Sequence, residues 1–324
     1  MTVLVVGGAG YIGSHAARAL CERGESVILY DNLSTGFRSL AAGRDLVVGD
    51  IADVGRLESV MRRVDAVMHF AAHAYVGESV ENPKKYFQNN VVGGLTLLDT
   101  AVRCGVRDFV FSSTCAVYGI PAKTPITEDF PREPVNPYGA SKLFFERALA
   151  AYQQAYGLRY ACLRYFNAAG ADESGELGEL HEPETHLIPL ALMAASGNGH
   201  PLSVFGDDYP TPDGTCVRDF IHVNDLAAAH ALALHKIMTT GESLVLNLGT
   251  GTGHSVREVL AAVEQITGCE VPHKIVPRRA GDPPVLVADA SRAEGALGWK
   301  ARRNLTDIIS TAWNWMQKRA AITA

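Results

Sequence analysis

The chain has 324 residues, of which 47% are hydrophobic and 20% are charged, and this composition excludes disordered and fibrous proteins. Its length is sufficient for one large core or for two domains. The formal net charge is −6 at pH 7, and the basic residues are dispersed along the chain. Because this distribution offers no surface for a phosphate backbone, we expect no nucleic acid partner.

Cysteine spacing and the N-terminal sequence indicate the compartment. The six cysteines are too far apart along the chain for a metal clip or a dense disulfide framework. The N-terminus runs from Met1 directly into an apolar segment and glycines, without the basic region of a signal peptide. No apolar run reaches the length of a membrane span. We therefore expect a cytoplasmic protein with no membrane partner.

Short apolar segments alternate with longer helical patterns through the first half of the chain. This alternation predicts strands at residues 3–6, 27–30, 46–48, 66–70, 109–111 and 160–163. Strands this short and this uniformly apolar are typical of a parallel sheet that helices cover on both faces. The pattern therefore predicts a doubly wound, Rossmann-like α/β fold, in which ligands bind at the carboxyl ends of the strands.

The pattern changes between residues 167 and 184, where the sequence becomes rich in Gly, Asp and Glu. We therefore predict one domain over residues 1–180 and a smaller α/β substrate domain over residues 181–324. Residues 244–248 have the pattern of a buried strand that could return to the main sheet. A segment at about residues 215–250 should accordingly pack on the first domain, so that the two domains are interwoven.

A glycine-rich turn follows the first predicted strand and precedes the first predicted helix. Gly7, Gly10 and Gly13 suit a tight turn, a close approach of the backbone to a pyrophosphate, and close packing of the helix on the strand. Together with Gly8 they match both the GxGxxG and the GxxGxxG pattern, so the spacing does not choose between subfamilies. In this context the motif predicts a dinucleotide site.

Acidic residues follow the next two predicted strands. Asp31 stands eighteen residues after Gly13, where a carboxylate can accept hydrogen bonds from the ribose hydroxyls of adenosine. The same charge repels a 2′-phosphate, which favours NAD over NADP. Asp50 and Ile51 could flank the adenine, and the alternative is that Asp50 or Asp53 caps a helix.

Tyr138 and Lys142 are four residues apart at the start of a helical pattern that runs to residue 155, so both side chains should lie on one face. The Lys142 ammonium would lower the pKa of the Tyr138 phenol toward the working pH and make it a usable base. Upstream, a predicted strand ends in Ser112, Ser113 and Thr114. Their hydroxyls either cap the strand end or hold and relay a substrate proton, and the neighbouring motifs favour the second role.

With these motifs the sequence resembles the extended short-chain dehydrogenase/reductase superfamily, and within it the UDP-glucose 4-epimerase family. The resemblance covers nearly the whole chain. It implies that the domain over residues 1–180 binds NAD and that the domain over residues 181–324 binds the UDP-sugar. The cofactor-binding residues expected from the motifs and the resemblance are Gly7, Gly10, Tyr11, Ile12, Gly13, Asp31, Asn32, Asp50, Ile51, Phe70, Ala71, Ala72, Asn89, Lys142, Tyr165 and Phe166.

The resemblance also implies where the substrate lies. The substrate-binding residues that it implies are Thr114, Tyr138, Asn167, His186, Leu187, Arg218, Arg279 and Asp282. Arginine suits this task because its planar guanidinium pairs with phosphate oxygens. The structural alternative for Arg218 is an ion pair with Asp219 or Asp225. Leu286 occupies the position at which some family members admit or exclude N-acetylated sugars, so the acceptance of UDP-GlcNAc stays open.

The implied activity is the interconversion of UDP-galactose and UDP-glucose in galactose metabolism, with Tyr138, Lys142 and Thr114 as catalytic residues. Tyr138 would remove the proton of the 4-hydroxyl while the C4 hydride passes to tightly bound NAD. The resulting 4-keto sugar nucleotide would rotate and take the hydride back on its opposite face. We expect no metal, because no HxH or HExxH spacing links the histidines. The family alone implies a homodimer.

Other functions compete with this interpretation. A nucleotide-sugar 4,6-dehydratase needs an acid/base pair after the strand-end hydroxyl, where this chain has Cys115 and Ala116, and is disfavoured. Epimerases of UDP-GlcNAc, UDP-pentoses or UDP-uronic acids would use the same chemistry and stay open. A non-catalytic NAD-dependent sensor usually lacks the tyrosine or the lysine, and this chain has both.

Overall fold

The computed structural model describes residues 1–279 and 281–323. In chain order, its strands are Thr2–Val6 (β1), Ser26–Asp31 (β2), Asp45–Val48 (β3), Ala66–His69 (β4), Asp108–Thr114 (β5), Arg159–Tyr165 (β6), Asn167–Ala169 (β7), Leu202–Phe205 (β8), Val217–His222 (β9), Leu244–Leu248 (β10), Gly253–Ser255 (β11), His273–Val276 (β12) and Val285–Leu286 (β13). All six strands predicted for the first half of the chain form, and their bounds differ from the prediction by one to three residues.

The α-helices lie mostly between these strands. In chain order they are Tyr11–Glu22 (α1), Val54–Met61 (α2), Val76–Glu81 (α3), Pro83–Tyr86 (α4), Gly94–Arg103 (α5), Pro137–Tyr156 (α6), Leu187–Ala195 (α7), Val223–Thr240 (α8), Val256–Thr267 (α9), Ser291–Leu297 (α10) and Leu305–Thr323 (α11). A π-helix over Phe87–Gly93 joins α4 to α5. Short 3₁₀ helices span Arg38–Ala41 and Cys115–Tyr118.

Seven parallel strands form the central sheet in the order β10-β6-β5-β4-β1-β2-β3. Successive side chains of β1 point to opposite faces of this sheet. Val3 and Val5 therefore join one apolar cluster with α1 and α8, while Leu4 and Val6 join another with α2, α5 and α6. Helices thus cover both faces, and the predicted doubly wound, Rossmann-like fold is confirmed.

The second half of the chain contributes both to this sheet and to smaller ones. The strand expected at residues 244–248 forms as β10 and pairs in parallel with β6. β9 pairs with β7, β11 and β13, and β8 pairs with β12. The helices α7, α9 and α11 pack in a third apolar cluster beside these strands. β7 already pairs with β9 at residues 167–169, and the division of the chain at residue 180 stays a prediction.

Because the strands of the central sheet are parallel, the carboxyl ends of β1, β2, β4, β5 and β6 meet at one edge. A cleft of about 1970 Å³ opens there, lined by residues that follow these strands and by residues of the smaller sheets. Within the described part of the chain, no helix has both the length and the apolar character needed to cross a bilayer.

Candidate active site

The glycine-rich turn between β1 and α1 is packed too closely for side chains. A Cβ atom on Gly7, whose φ is +81°, would lie 2.5 Å from the backbone nitrogen of Ala71. A Cβ on Gly13 would lie 2.2 Å from the carbonyl oxygen of Gly7. Gly10 caps α1 without a side-chain hydrogen bond, so the first amides of the helix face the cleft unblocked. This is the geometry that a pyrophosphate requires.

Asp31 is a fixed carboxylate at the end of β2. Its Oδ2 accepts a hydrogen bond from the amide of Ala9 at 2.9 Å, and its Oδ1 accepts one from the amide of Leu33 at 2.8 Å. Burial raises the pKa of Asp31, and these two backbone hydrogen bonds oppose the rise. Since each carboxylate oxygen has two acceptor positions, ribose hydroxyls can still bind here.

Asp50 is an exposed residue that follows β3 and contacts two residues near the end of β2. Its Oδ2 accepts a hydrogen bond from Asn32 Nδ2 at 2.8 Å, and its carbonyl accepts one from Tyr30 Oη at 2.8 Å. The cap of α2 is Asp53, whose Oδ1 accepts from the amide of Arg56 at 3.1 Å. Asp50 is not among the residues that line the cleft, although its neighbours Gly49 and Ile51 are. Its expected contact with the cofactor stays a prediction.

The remaining cofactor candidates meet at this edge of the sheet. Those that line the cleft are Gly7, Gly10, Tyr11, Ile12, Gly13, Asp31, Asn32, Ile51, Phe70, Ala71, Ala72, Asn89, Lys142, Tyr165 and Phe166. Asn89 lies in the π-helix and donates to Asn90 Oδ1 at 2.9 Å. A trough walled by glycines and apolar side chains, with one fixed carboxylate at the end of β2, fits a dinucleotide.

Helix α6 carries two of the three catalytic candidates. Asn136 caps the helix by accepting a hydrogen bond from the amide of Gly139 at 2.8 Å. Lys142 is buried, and its Nζ lies 5.9 Å from the ring centroid of Tyr138. The same Nζ donates to the carbonyl oxygen of Ser112 at 2.8 Å. The predicted arrangement of both side chains on one face of a helix is therefore present.

Burial shifts the pKa values of both members of this pair. Burial raises the pKa of Tyr138 above its usual value, and a hydrogen bond with Thr114 opposes the rise. Burial lowers the pKa of Lys142 to about 7, and the charge of Glu146 opposes the fall. Burial therefore dominates both pKa values in this structure, because both groups are withdrawn from water. The expectation that the charge of Lys142 lowers the pKa of Tyr138 stays a prediction.

The three hydroxyls at the end of β5 have separate tasks. Thr114 Oγ1 accepts a hydrogen bond from the backbone amide of Ala116 at 3.2 Å, and a side-chain hydrogen bond links Thr114 to the Tyr138 phenol. The first contact is the capping role named from the sequence, and the role in holding or relaying a substrate proton stays a prediction. Ser112 Oγ lies 2.6 Å from Tyr165 Oη. Ser113 Oγ donates to Glu146 Oε1 at 2.6 Å. Of these three residues, Thr114 therefore contacts Tyr138, and Ser113 links β5 to α6.

Arg218, on the substrate side of the cleft, forms an ion pair with Asp282, in which Nη2 and Oδ1 are 2.5 Å apart. The structural alternative named from the sequence was wrong about the partner. Asp225 instead forms an ion pair with Arg303 at 2.5 Å. Asp219 accepts hydrogen bonds from the backbone amides of Gly251 and Ala288. An ion pair at the wall of a cleft holds the guanidinium in one orientation, ready for an anionic ligand.

The other substrate candidates lie on the same wall. The residues expected to bind substrate that line the cleft are Thr114, Tyr138, Asn167, His186, Leu187, Arg218, Arg279 and Asp282, and Leu286 lines it too. The guanidinium of Arg279 stacks 3.8 Å from the ring centroid of Phe205. One guanidinium stacked on an aromatic ring and a second guanidinium lining the same cleft suit a ligand that carries phosphates and a base.

One cluster of side chains was not predicted from the sequence. Glu179, His181, Glu184 and His186 place their carboxylate oxygens and Nδ1 atoms within 4.8 Å of one another. Burial alone would lower the pKa of His186, but hydrogen bonds with Glu179 and Glu184 raise it to about 10. These contacts are those of histidines paired with carboxylates. A loop rather than a helix brings the four together, so no recognised ligand spacing could have indicated them.

The chain is similar in sequence and fold to known proteins of one family. Residues 3–249 match the NAD dependent epimerase/dehydratase family. The chain is 49% identical over 319 residues to the UDP-glucose 4-epimerase of Rhizobium leguminosarum bv. trifolii, with 98% of each chain covered. Its fold is similar to that of UDP-glucose 4-epimerase from Brucella ovis in complex with NAD, with a TM-score of 0.94, 53% identity, and 96% of this chain and 97% of that chain covered. It is also similar to the enzyme from Stenotrophomonas maltophila with bound NAD and formylated UDP-arabinopyranose, with a TM-score of 0.96, 44% identity and both chains covered completely.

Proposed function

This chain belongs to the NAD-dependent epimerase/dehydratase family, and we propose on that basis that it interconverts UDP-galactose and UDP-glucose by inversion at C4 of the sugar. The observation that carries the proposal is the meeting of Tyr138, Lys142 and Thr114 where the dinucleotide trough opens toward the arginine-lined wall. The enzyme is an isomerase whose cofactor is NAD.

The residues of the trough would hold the cofactor. Gly7 and Gly13 let the backbone approach the pyrophosphate, and Asp31 receives the ribose hydroxyls of adenosine and repels a 2′-phosphate. When bound, NAD accepts the hydride from C4 of the sugar and returns it. Because the hydride goes back to the molecule that lost it, the cofactor does not enter the overall equation.

Tyr138 moves the proton. Its phenol takes the proton of the 4-hydroxyl as the hydride leaves C4, and it returns that proton when the hydride comes back. Lys142 lies beside the phenol and, when charged, stabilises its ionised form. Thr114 bonds with the phenol and orients the sugar hydroxyl toward it.

The substrate must stay bound while its sugar turns over, because the 4-keto intermediate has to present the opposite face of C4. Arg218 and Arg279 line the same cleft as Tyr138, and both can pair with phosphate oxygens. The ion pair with Asp282 keeps Arg218 oriented. UDP is thus held at one end of the cleft, and the sugar is the part that rotates.

The same chain offers a surface for a second copy. Large apolar side chains are exposed on neighbouring elements: Val80 of α3 is 63% exposed, Phe87 of the π-helix 42%, and Phe144 of α6 48%. These elements pack against one another, so the three exposed side chains belong to adjacent elements. Because exposed apolar groups of this size are commonly covered in an assembly, they support a homodimer.

A cytoplasmic location is part of the same proposal. The six cysteines are unpaired in the structure, and two of them, Cys115 and Cys162, are buried in the core. Free thiols in this number are typical of proteins in a reducing compartment. UDP-sugars as substrates are compatible with that compartment.

The experiment that tests the activity uses the purified protein and UDP-galactose, with UDP-glucose quantified by chromatography. Tyr138→Phe is the matched variant, since it removes one oxygen atom from the site. Formation of UDP-glucose by the parent and its loss in the variant would support the proposal. No conversion by the parent, with NAD supplied, would overturn it.

A further inference from the structure

A buried ion pair lies directly behind the catalytic residues. Glu146 stands one helical turn after Lys142 on α6 and is 6% exposed, and Arg164 on β6 is 1% exposed. Arg164 Nε is 2.8 Å from Glu146 Oε1, and Nη2 is 2.5 Å from Oε2. This bidentate geometry fixes the carboxylate in one orientation.

Glu146 also ties α6 to the strand that carries the other catalytic groups. Its Oε1 accepts a hydrogen bond from Ser113 Oγ at 2.6 Å. Ser113 lies between Ser112, whose carbonyl accepts from Lys142, and Thr114, which bonds with the Tyr138 phenol. The carboxylate of Glu146 therefore connects α6 to β5, next to the residues of both elements that line the cleft.

Arg164 is itself held from the opposite side. Its Nη1 donates to Tyr118 Oη at 2.9 Å, and Tyr118 Oη donates to Asn247 Oδ1 at 2.7 Å. The amide of Asn247, on β10, donates to Glu128 Oε1 at 2.8 Å. The network therefore runs from β10 through β6 to α6, and neither Arg164 nor Glu146 can move without breaking several buried hydrogen bonds.

The charge of Glu146 also reaches Lys142. The other titratable side chains around Lys142 and Tyr138 are His69 of β4, Tyr86 of α4, Cys115 of the 3₁₀ helix that follows β5, and Tyr165 of β6. Burial lowers the pKa of His69 to about 3 and raises the pKa values of Cys115 and Tyr165 to about 12, and it raises that of Tyr86 as well. All four are neutral at pH 7, so Glu146 supplies the negative charge in the surroundings of the lysine.

We propose that Glu146 is a positioning residue for the reaction: held by Arg164, it sets β5 through Ser113 and keeps Lys142 charged beside Tyr138. This proposal rests on the proposed function of the same site. Glu146 does not line the cleft, so its effect on turnover passes through Lys142 and Thr114.

The pH profile of kcat separates this role from a merely structural one. In Glu146→Gln the carboxylate charge is gone, so Lys142 loses its proton at a lower pH and the alkaline limb of kcat moves down by about one pH unit. Glu146→Asp keeps the charge and is expected to keep the alkaline limb near its parent position. A uniform fall of kcat at every pH in Glu146→Gln, with the limb unmoved, would overturn the proposal.

A second readout does not depend on the epimerase activity. In protein labelled with ¹³C at the lysine Cε atoms, the Lys142 resonance is identified by its absence in Lys142→Met and is followed against pH. We expect its titration midpoint to fall in Glu146→Gln relative to the parent. If the parent fails to convert UDP-galactose but the midpoint falls, the proposed function is wrong and the charge effect of Glu146 stands. An unchanged midpoint would contradict that effect.

Two further variants complete the design. Should Glu146→Gln fail to fold because Arg164 is left unpaired, the double variant Glu146→Gln/Arg164→Met removes both buried charges and preserves volume. Both measurements are made on it, and the expected downward shifts are smaller than in Glu146→Gln because the positive charge of Arg164 is removed as well. Ser113→Ala breaks only the link to β5. It should lower kcat without moving the alkaline limb, and an unchanged kcat would overturn the part of the proposal that concerns β5.

Discussion

The ammonium of Lys142 donates a hydrogen bond to the carbonyl oxygen of Ser112 at 2.8 Å, and this contact joins α6 to β5 below the Tyr138 phenol. The bond orients the lysine without neutralising it, because a carbonyl carries no charge. When the amine is protonated, its charge is therefore available to the phenol. Proton transfer by Tyr138 accordingly depends on the packing of two elements that are distant in sequence.

Removal of the phenolic oxygen tests the role of Tyr138. We expect Tyr138→Phe to lower kcat by about 10²-fold to 10⁴-fold, the range for loss of a general acid–base group, with NAD content unchanged. Tyr156→Phe is the control, because Tyr156 lies on the same helix and is 52% exposed. Steady-state assays with UDP-galactose measure both. A Tyr138→Phe variant with near-parental turnover would exclude this residue as the base.

The glycine turn should tolerate no methyl group at Gly13. A Cβ there would lie 2.2 Å from the carbonyl oxygen of Gly7, so in Gly13→Ala the turn must shift and the protein should purify with less NAD. Gly295→Ala is the control, because Gly295 lies inside α10 and a Cβ added to it would meet no atom within 4 Å. That change should stabilise the protein by about 0.5–1 kcal/mol. Cofactor content is measured after denaturation, and full NAD content in Gly13→Ala would contradict the assigned cofactor site.

The charge of Asp31 should select between the two nicotinamide cofactors. Asp31→Asn keeps the size of the side chain and removes the repulsion of a 2′-phosphate, so the ratio of NADP affinity to NAD affinity should rise about tenfold or more, which corresponds to about 1.4 kcal/mol. Titration of cofactor-depleted protein with each dinucleotide measures this ratio. Asp53→Asn is the control, because Asp53 caps α2 and asparagine caps equally well. If both variants keep the parental ratio of NADP affinity to NAD affinity, Asp31 does not contribute to the choice between the two cofactors.

His69 should make the fold sensitive to acid. It packs 5.8 Å from the ring of Phe111 and 5.4 Å from that of Phe145, and burial, with the nearby charge of Lys142, lowers its pKa to about 3. The unfolded chain binds the proton near pH 6.5, so the free energy of unfolding falls as the pH drops below that value. At pH 5 the loss from this group is about 2 kcal/mol.

The matched substitution is His69→Phe, which preserves a ring and removes the titration. The difference in the free energy of unfolding between pH 7.5 and pH 5, measured by urea denaturation, should shrink by about 2 kcal/mol. His235→Phe changes an exposed histidine and should leave that difference as it is. A parental pH dependence in His69→Phe would show that His69 is not buried in its neutral form.

The exposed apolar side chains of α3, the π-helix and α6 should mediate dimerisation. We expect sedimentation velocity to give a dimer for the parent and a monomer for Phe144→Glu, because a buried unpaired carboxylate at an interface is costly. Ile275→Glu introduces the same charge at β12, where Ile275 is also exposed, and should stay dimeric. A dimeric Phe144→Glu would place the interface elsewhere.

Local patterns in the sequence predicted the sheet and the dinucleotide turn. The strand bounds followed from short apolar runs, and the places of Gly13, Tyr138 and Lys142 followed from their spacing, because a turn and one helix face depend on neighbouring residues alone. The doubly wound fold followed from the same alternation.

Local sequence patterns could not predict contacts between segments that are distant in the chain. The partner of Arg218 is Asp282, 64 residues later, and Arg164 of an apolar strand meets Glu146 of α6 only through the packing of the sheet. Desolvation also decides the pKa values of Tyr138 and Lys142. It depends on how much of the fold surrounds each group, which the spacing of the motif does not express.

The central claim is that the hydride removed from C4 returns to the same sugar from a cofactor that stays bound. The most direct measurement incubates the purified protein, without added NAD, with UDP-galactose that carries deuterium at C4, and analyses the product by mass spectrometry and NMR. We expect UDP-glucose with the deuterium retained at C4. UDP-glucose that has lost the deuterium to solvent, or no conversion even after NAD is supplied, would contradict the claim.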